Sequence, residues 1–191
     1  MMATTHALVG AAVGATTAAF APELTPTAMA VGFVAGAAPD VDLVAVHRRT
    51  AHFPVVLSAL AVPATVVAAA VPGRLSTLTA VALVAAAAHS AMDILSSGAG
   101  PAPWLATSER GVYDHVRGRW IRPRRLVAYA GAPSDLALAA VVSLPTLWLA
   151  SGPLWIVAVT ALAGSVLFAT LRRNLSGLSK RLFGDPTSAE E

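Results

Sequence analysis

His6, Asp40, His52, His89 and Asp93 lie in or beside apolar stretches of a 191-residue chain. Imidazoles and carboxylates are costly to place in hydrocarbon, and several of them at membrane depth point to a functional site. Neutral imidazole nitrogen and carboxylate oxygen are ligands for Zn²⁺ and other divalent ions. The chain has no cysteine, which excludes disulfides and thiolate sites and leaves His and Asp as the protein ligands. The cofactor implied is a divalent metal, zinc first, with manganese or magnesium as alternatives.

Spacing sharpens the set. His89 and Asp93 follow a continuously apolar run at 81–88, and residues four apart stand one above the other on a helix face, so both can address one ion. The competing account is a buried hydrogen bond between helices. Pro39-Asp40-Val41-Asp42 begins where a helix must stop, and its two acids flank one residue. One can ligate while the other orients a partner or binds a second ion; the plainer account makes Asp40 a cap and Asp42 solvated loop. His47 and His52 are five apart, too far round a helix to share a face, so a loop must bring them together. Beside Arg48 and Arg49 they also read as a solvated charge cluster.

The elements that must hold these residues are membrane helices. Hydrophobic residues make up 56% of the chain and charged residues 12%, against about 25% charged in a soluble domain. Six apolar segments are read at 5–20, 27–38, 53–71, 75–95, 136–150 and 154–171. A spanning helix needs roughly 20 residues, so the third, fourth and sixth are expected to cross and the fifth is compatible with crossing. The first two are short, forming either a tilted spanning hairpin or a re-entrant pair. The expected fold is all-α: a polytopic helical bundle in one domain, 1–171, followed by a basic amphipathic tail, 172–191. Aromatic residues are only 6% of the chain and the apolar mass is largely Ala and Val, so helices should approach closely. Met1 to Thr5 carry no Lys or Arg, unlike the basic start of a signal peptide, and the N-terminus is expected to be retained.

Cytoplasmic loops accumulate Lys and Arg. With a cytoplasmic N-terminus, twelve of the 13 basic residues fall inside and only Arg74 outside. Both termini are therefore expected in the cytoplasm, in a multi-pass inner-membrane protein. This orientation brings all five candidate ligands toward one face. The inner loop, 96–134, holds Asp114, His115, Trp104, Tyr113, Trp120 and six arginines. Such a loop attracts anionic headgroups and seats aromatic rings at the interface. It could also recruit a protein partner; nucleic acid is a less economical reading of the same charge.

The ordered motifs Thr5-His6, Pro39-Asp40-Val41-Asp42, His47-Arg48 through His52, and His89-Ser90-Ala91-Met92-Asp93 resemble the family of LexA-binding, inner-membrane-associated metal-dependent hydrolases, over roughly residues 4–125. Trp104 falls where that family has a tryptophan after a Gly-Pro-rich turn. Arg49 stands where the family has glycine, and Thr50 is displaced by one. The His-x-x-x-Asp pair with an earlier Asp and His is also similar to part of the metal set of zinc-dependent phospholipase C. The resemblances imply a metal-dependent hydrolase acting on phosphoester bonds, with phospholipid at the membrane surface as the substrate. His6, Asp40, His52, His89 and Asp93 would be ligands, Asp42 or Asp114 a general base, and Arg48 and His47 substrate contacts. Two other classes fit the same residues: an ion-handling or transport bundle, and a membrane-bound interaction protein acting through the basic loop.

Overall fold

The structure is a computed structural model that describes residues 1–100 and 102–183. Six helices carry it: α1 (Ala3–Ala15), α2 (Thr25–Ala37), α3 (Pro54–Ala70), α4 (Arg74–Leu95), α5 (Pro133–Leu149) and α6 (Gly152–Phe183). Proline near the first helical position opens α2, α3 and α5, where its missing N–H would have no intrahelical partner and its fixed φ suits the turn. Pro63 and Pro145 lie inside α3 and α5, a placement that membrane helices tolerate better than soluble ones.

Among the described residues, three segments are long and apolar enough to cross a membrane: Pro22–Val44, Arg74–Leu95 and Gly152–Arg172. The second apolar segment is thus longer than its sequence pattern suggests. Short 3-10 turns at Pro22–Leu24 and Ala38–Val44 flank α2 and extend it to 23 residues. The third segment, expected to cross, gives a helix of 17 residues and is not among these three. Helix α6 continues through Phe183 without a break at 171. The acidic end, Glu190 and Glu191, lies outside the described residues.

Helix α1 is the hub, packing against α2, α4, α5 and α6, while α3 packs on α4. Glycine permits the closest approach. A Cβ on Gly10 would strike the Gly32 carbonyl of α2, and one on Gly32 would strike the Gly10 carbonyl. The two backbones touch directly, as small residues allow between membrane helices.

The 96–134 segment is more ordered than a basic loop. It contains an antiparallel hairpin, β1 (Val112–Asp114) with β2 (Arg119–Ile121), in register Val112 to Ile121 and Asp114 to Arg119. Gly118, at φ +64°, supplies the left-handed residue of its turn. Farther on, the N–H groups of Arg124, Arg125 and Val127 donate to the carbonyls of Ile94, Ser96 and Leu95. The chain so satisfies carbonyls that the end of α4 leaves without intrahelical partners, and it clasps the end that carries His89 and Asp93.

Candidate metal centre

Four elements deliver the site residues to one end of the bundle. His6 lies in the second turn of α1, Asp40 and Asp42 on the 3-10 turn after α2, His52 just before α3, and His89 and Asp93 in the last two turns of α4. Because α1 and α2, like α3 and α4, run antiparallel, the start of one helix and the end of its neighbour meet. Asp40, His52, His89 and Asp93 offer ligand atoms that all lie within 4.8 Å of one another. His52, His89 and Asp93 are buried; Asp40 is 11% exposed at its side chain.

Hydrogen bonds fix which ring nitrogens face the centre. His52 Nδ1 is 2.9 Å from Asp42 Oδ2, and a carboxylate only accepts, so Nδ1 carries the proton and the neutral ring has a bare lone pair at Nε2. His89 Nδ1 donates in the same way to the Gly36 carbonyl at 2.6 Å. The two Nε2 atoms lie 3.0 Å apart. Two lone pairs at that distance repel unless a proton or a cation lies between them. Zn–N bonds of about 2.0–2.1 Å at a tetrahedral angle would hold two nitrogens about 3.3 Å apart, close to the spacing observed. Asp93 Oδ2 stands 3.2 Å from His52 Nε2 and 3.7 Å from His89 Nε2, and Asp40 Oδ1 is 3.5 Å from His89 Nε2. The donor set is two imidazoles and two carboxylates, which suits zinc or manganese.

His6 supports this group from the side. Its ring stacks on His89 with centroids 3.7 Å apart, its Nε2 lies 3.1 Å from Asp93 Oδ1, and its buried Nδ1 has no partner among the described residues. The Met1 amino group is 2.6 Å from the same Asp93 oxygen. Gly36 joins the helix contact to the centre, since its carbonyl orients His89 and a Cβ on it would meet the His6 carbonyl.

Asp42 stands behind His52. One oxygen accepts His52 Nδ1–H and the Ala51 N–H, and the other pairs with His47 Nδ1 at 2.8 Å. Carboxylates in this position fix the tautomer and orientation of a ligating histidine. Burial opposes a charged His52 imidazole, but Asp93 and Asp42 outweigh it and raise the His52 pKa above its usual 6.5. Without an ion, a proton on His52 relieves the lone-pair conflict.

Arg48 is buried with φ +63°, a backbone region that a non-glycine residue rarely occupies. Its Nε approaches Asp93 Oδ2 at 3.3 Å, and its terminal nitrogens donate to the Ser97 carbonyl and Ser96 Oγ. The guanidinium thus balances Asp93 and ties the 45–53 loop to the end of α4. His47 and Arg48 also line a cavity of about 480 Å³ beside the cluster.

Asp114 is not brought into the cluster. Its carboxylate accepts from the Val116 and Arg117 N–H groups and from the Arg117 guanidinium, which holds its pKa below the ordinary carboxylate range. It shapes the hairpin turn, while the Tyr113 N–H on β1 docks on the Arg48 carbonyl. One buried acid escaped the sequence reading. Asp135, in the first turn of α5, accepts from Thr5 Oγ1 at 2.8 Å and from the N–H groups of Met2 and Gly131. It anchors the start of α1 one residue from His6. A signal existed, for Asp135 is the one acid between Asp114 and Asp185.

Fold and site together define a helical protein with segments able to cross a membrane and a His/Asp cluster able to hold a metal at one end of its helices. No protein-family model matches the chain, and no match is found among curated proteins or solved structures.

Proposed function

We propose that the protein is a membrane-embedded metal-dependent hydrolase acting on phosphoester bonds of lipids at the cytoplasmic surface of the membrane. The observation that carries the reading is the pair of Nε2 lone pairs 3.0 Å apart, each with its Nδ1 committed elsewhere. Asp40, His52, His89 and Asp93 would hold the ion, with His6 against the second oxygen of Asp93. A bound divalent ion would lower the pKa of water from about 15.7 toward ~7 and polarise a phosphoryl oxygen. Asp42 keeps the proton on His52 Nδ1, and His47 continues that line of hydrogen bonds to the cavity wall. Arg48 balances Asp93, so that the buried carboxylate is not left uncompensated.

The motif resemblances support hydrolysis, and the open cavity beside the cluster supports a substrate larger than an ion. A transport reading is disfavoured because transport sites commonly lie near the bilayer midplane, whereas this cluster lies at the ends of its helices. The test is metal analysis of detergent-purified protein beside a H89A/D93A variant, with hydrolysis of a short-chain phospholipid followed by phosphate or headgroup release. Stoichiometric metal in the parent, lost with activity in the variant, is expected. Equal, substoichiometric metal in both would sink the ligand set and the hydrolase with it.

A further inference from the structure

The cavity beside the cluster has two unlike walls. Asp40, His47 and Arg48 form one; Phe168 and Arg172 of α6 are on the other. Its volume of about 480 Å³ is that of a small-ligand site, typically about 300–1,000 Å³. Both arginines that line it are cations, but only one is already engaged. Arg48 is held by Asp93, Ser96 and Ser97. Arg172 belongs to none of the ion pairs among the described residues, and its buried Nε has no hydrogen-bond partner there. Aromatic faces hold it instead, with the guanidinium carbon 5.3 Å from the Phe168 ring centre and 5.8 Å from that of Trp104.

Aromatic rings beside a guanidinium satisfy none of its N–H donors with an oxygen, and that fork matches the oxygens of a phosphate. Arg172 also closes the apolar segment Gly152–Arg172, a depth at which arginine meets lipid headgroups. On the same helix, Ile156 and Leu167 expose apolar side chains, suited to acyl chains. Resting on the hydrolase reading above, we propose that Arg172 is the headgroup-binding residue of this site. It receives the phosphate of an anionic phospholipid that approaches along α6 and presents its phosphoester to the metal cluster. This cavity, rather than the exposed basic hairpin, then selects the substrate.

The test measures binding apart from turnover. Full-length protein in detergent, stripped with EDTA, is titrated with dihexanoyl phosphatidic acid, dihexanoyl phosphatidylcholine and inorganic phosphate, with tryptophan emission as the signal because Trp104 lies over Arg172. The phosphatidic acid should bind more tightly than either of the others. R172Q should weaken that binding about tenfold or more, as loss of charge-assisted hydrogen bonds does, and R172K should lie between. Thermal midpoint and metal content in unstripped samples identify a misfolded variant. If R172Q does not fold, R172K decides alone, with a several-fold loss supporting the assignment and unchanged affinity overturning it. Unchanged affinity in folded R172Q, or inorganic phosphate binding as tightly as the lipid, also overturns it. Arg172-dependent binding without hydrolysis by the metal-loaded protein would remove the hydrolase and leave the lipid site, whereas hydrolysis with KM unchanged in R172Q would do the reverse.

Discussion

Asp42→Asn tests whether the carboxylate behind His52 sets the metal site. The substitution preserves shape but changes the hydrogen-bonding pattern. Asp42 accepts on both oxygens, from His52 Nδ1 at 2.9 Å and the Ala51 N–H at 3.2 Å on one and from His47 Nδ1 at 2.8 Å on the other. Asparagine has one accepting oxygen and one NH2 donor. If its NH2 group faces His52, the Nδ1 proton must leave and the ring becomes the Nε2–H tautomer, which aims a hydrogen at the ion. If its oxygen faces His52, the NH2 group meets His47 instead, and the remaining acceptor is a neutral amide rather than a carboxylate. Loss of such a partner costs about 10- to 100-fold in metal affinity, or about 1.4 to 2.7 kcal/mol. Chelator competition on detergent-purified D42N, with zinc as the metal, measures it directly. The thermal midpoint of the stripped protein shows whether the fold survived. Zinc affinity within about twofold of the parent, in a protein that remains folded, would refute the role given to Asp42.

Proton competition gives a second prediction. His52 must lose its proton to bind metal, and its pKa is raised above 6.5 when no metal is bound. Zinc affinity should therefore climb from about pH 6 to about pH 8 and flatten above the raised pKa. The stability of the stripped protein should move the other way. A raised folded-state pKa stabilises fully below the unfolded value and that contribution fades as pH rises through the folded one. Equal zinc affinity at both pH values would contradict it. A third prediction concerns the α1–α2 contact. Gly32→Ala should cost about 2 kcal/mol, within the usual range for overpacking, because the added Cβ meets the Gly10 backbone. Since Gly36 orients His89 from the same helix face, zinc affinity should fall as well. A thermal midpoint in detergent that does not change would count against direct backbone contact.

What the sequence makes legible is what local geometry determines. His89 and Asp93 share a face because a helix places i and i+4 together, and they meet at 3.7 Å. The convergence of His6, Asp40 and His52 on that pair follows from the antiparallel order of short apolar segments. Residues whose roles depend on where a loop returns were less legible. Asp42 becomes the partner of His52 only because the 45–53 loop turns at Arg48 through a left-handed backbone. Strands of three residues are too short for an alternating pattern to reveal, so the hairpin in 96–134 read simply as basic loop. Asp135 looks like a helix-start acid until α5 lies against α1 and it takes the Thr5 hydroxyl.

These tertiary contacts also explain why the cluster can be so buried. A carboxylate such as Asp93, without neighbouring positive charge, would favour its neutral form or unfolding. Here the Met1 amino group and Arg48 supply positive charge at its two oxygens, while the histidine nitrogens leave room for a further, exchangeable charge at the centre. Arg48 alone cannot remove the repulsion between the two Nε2 lone pairs, because it contacts Asp93 and the Ser96–Ser97 turn rather than either ring. Only a species between the rings can do so, whether a proton on His52 or a metal shared with Asp40 and Asp93. That choice couples stability, pH and metal binding at one pair of nitrogens, and makes zinc affinity the sensitive readout for changes as far away as Gly32.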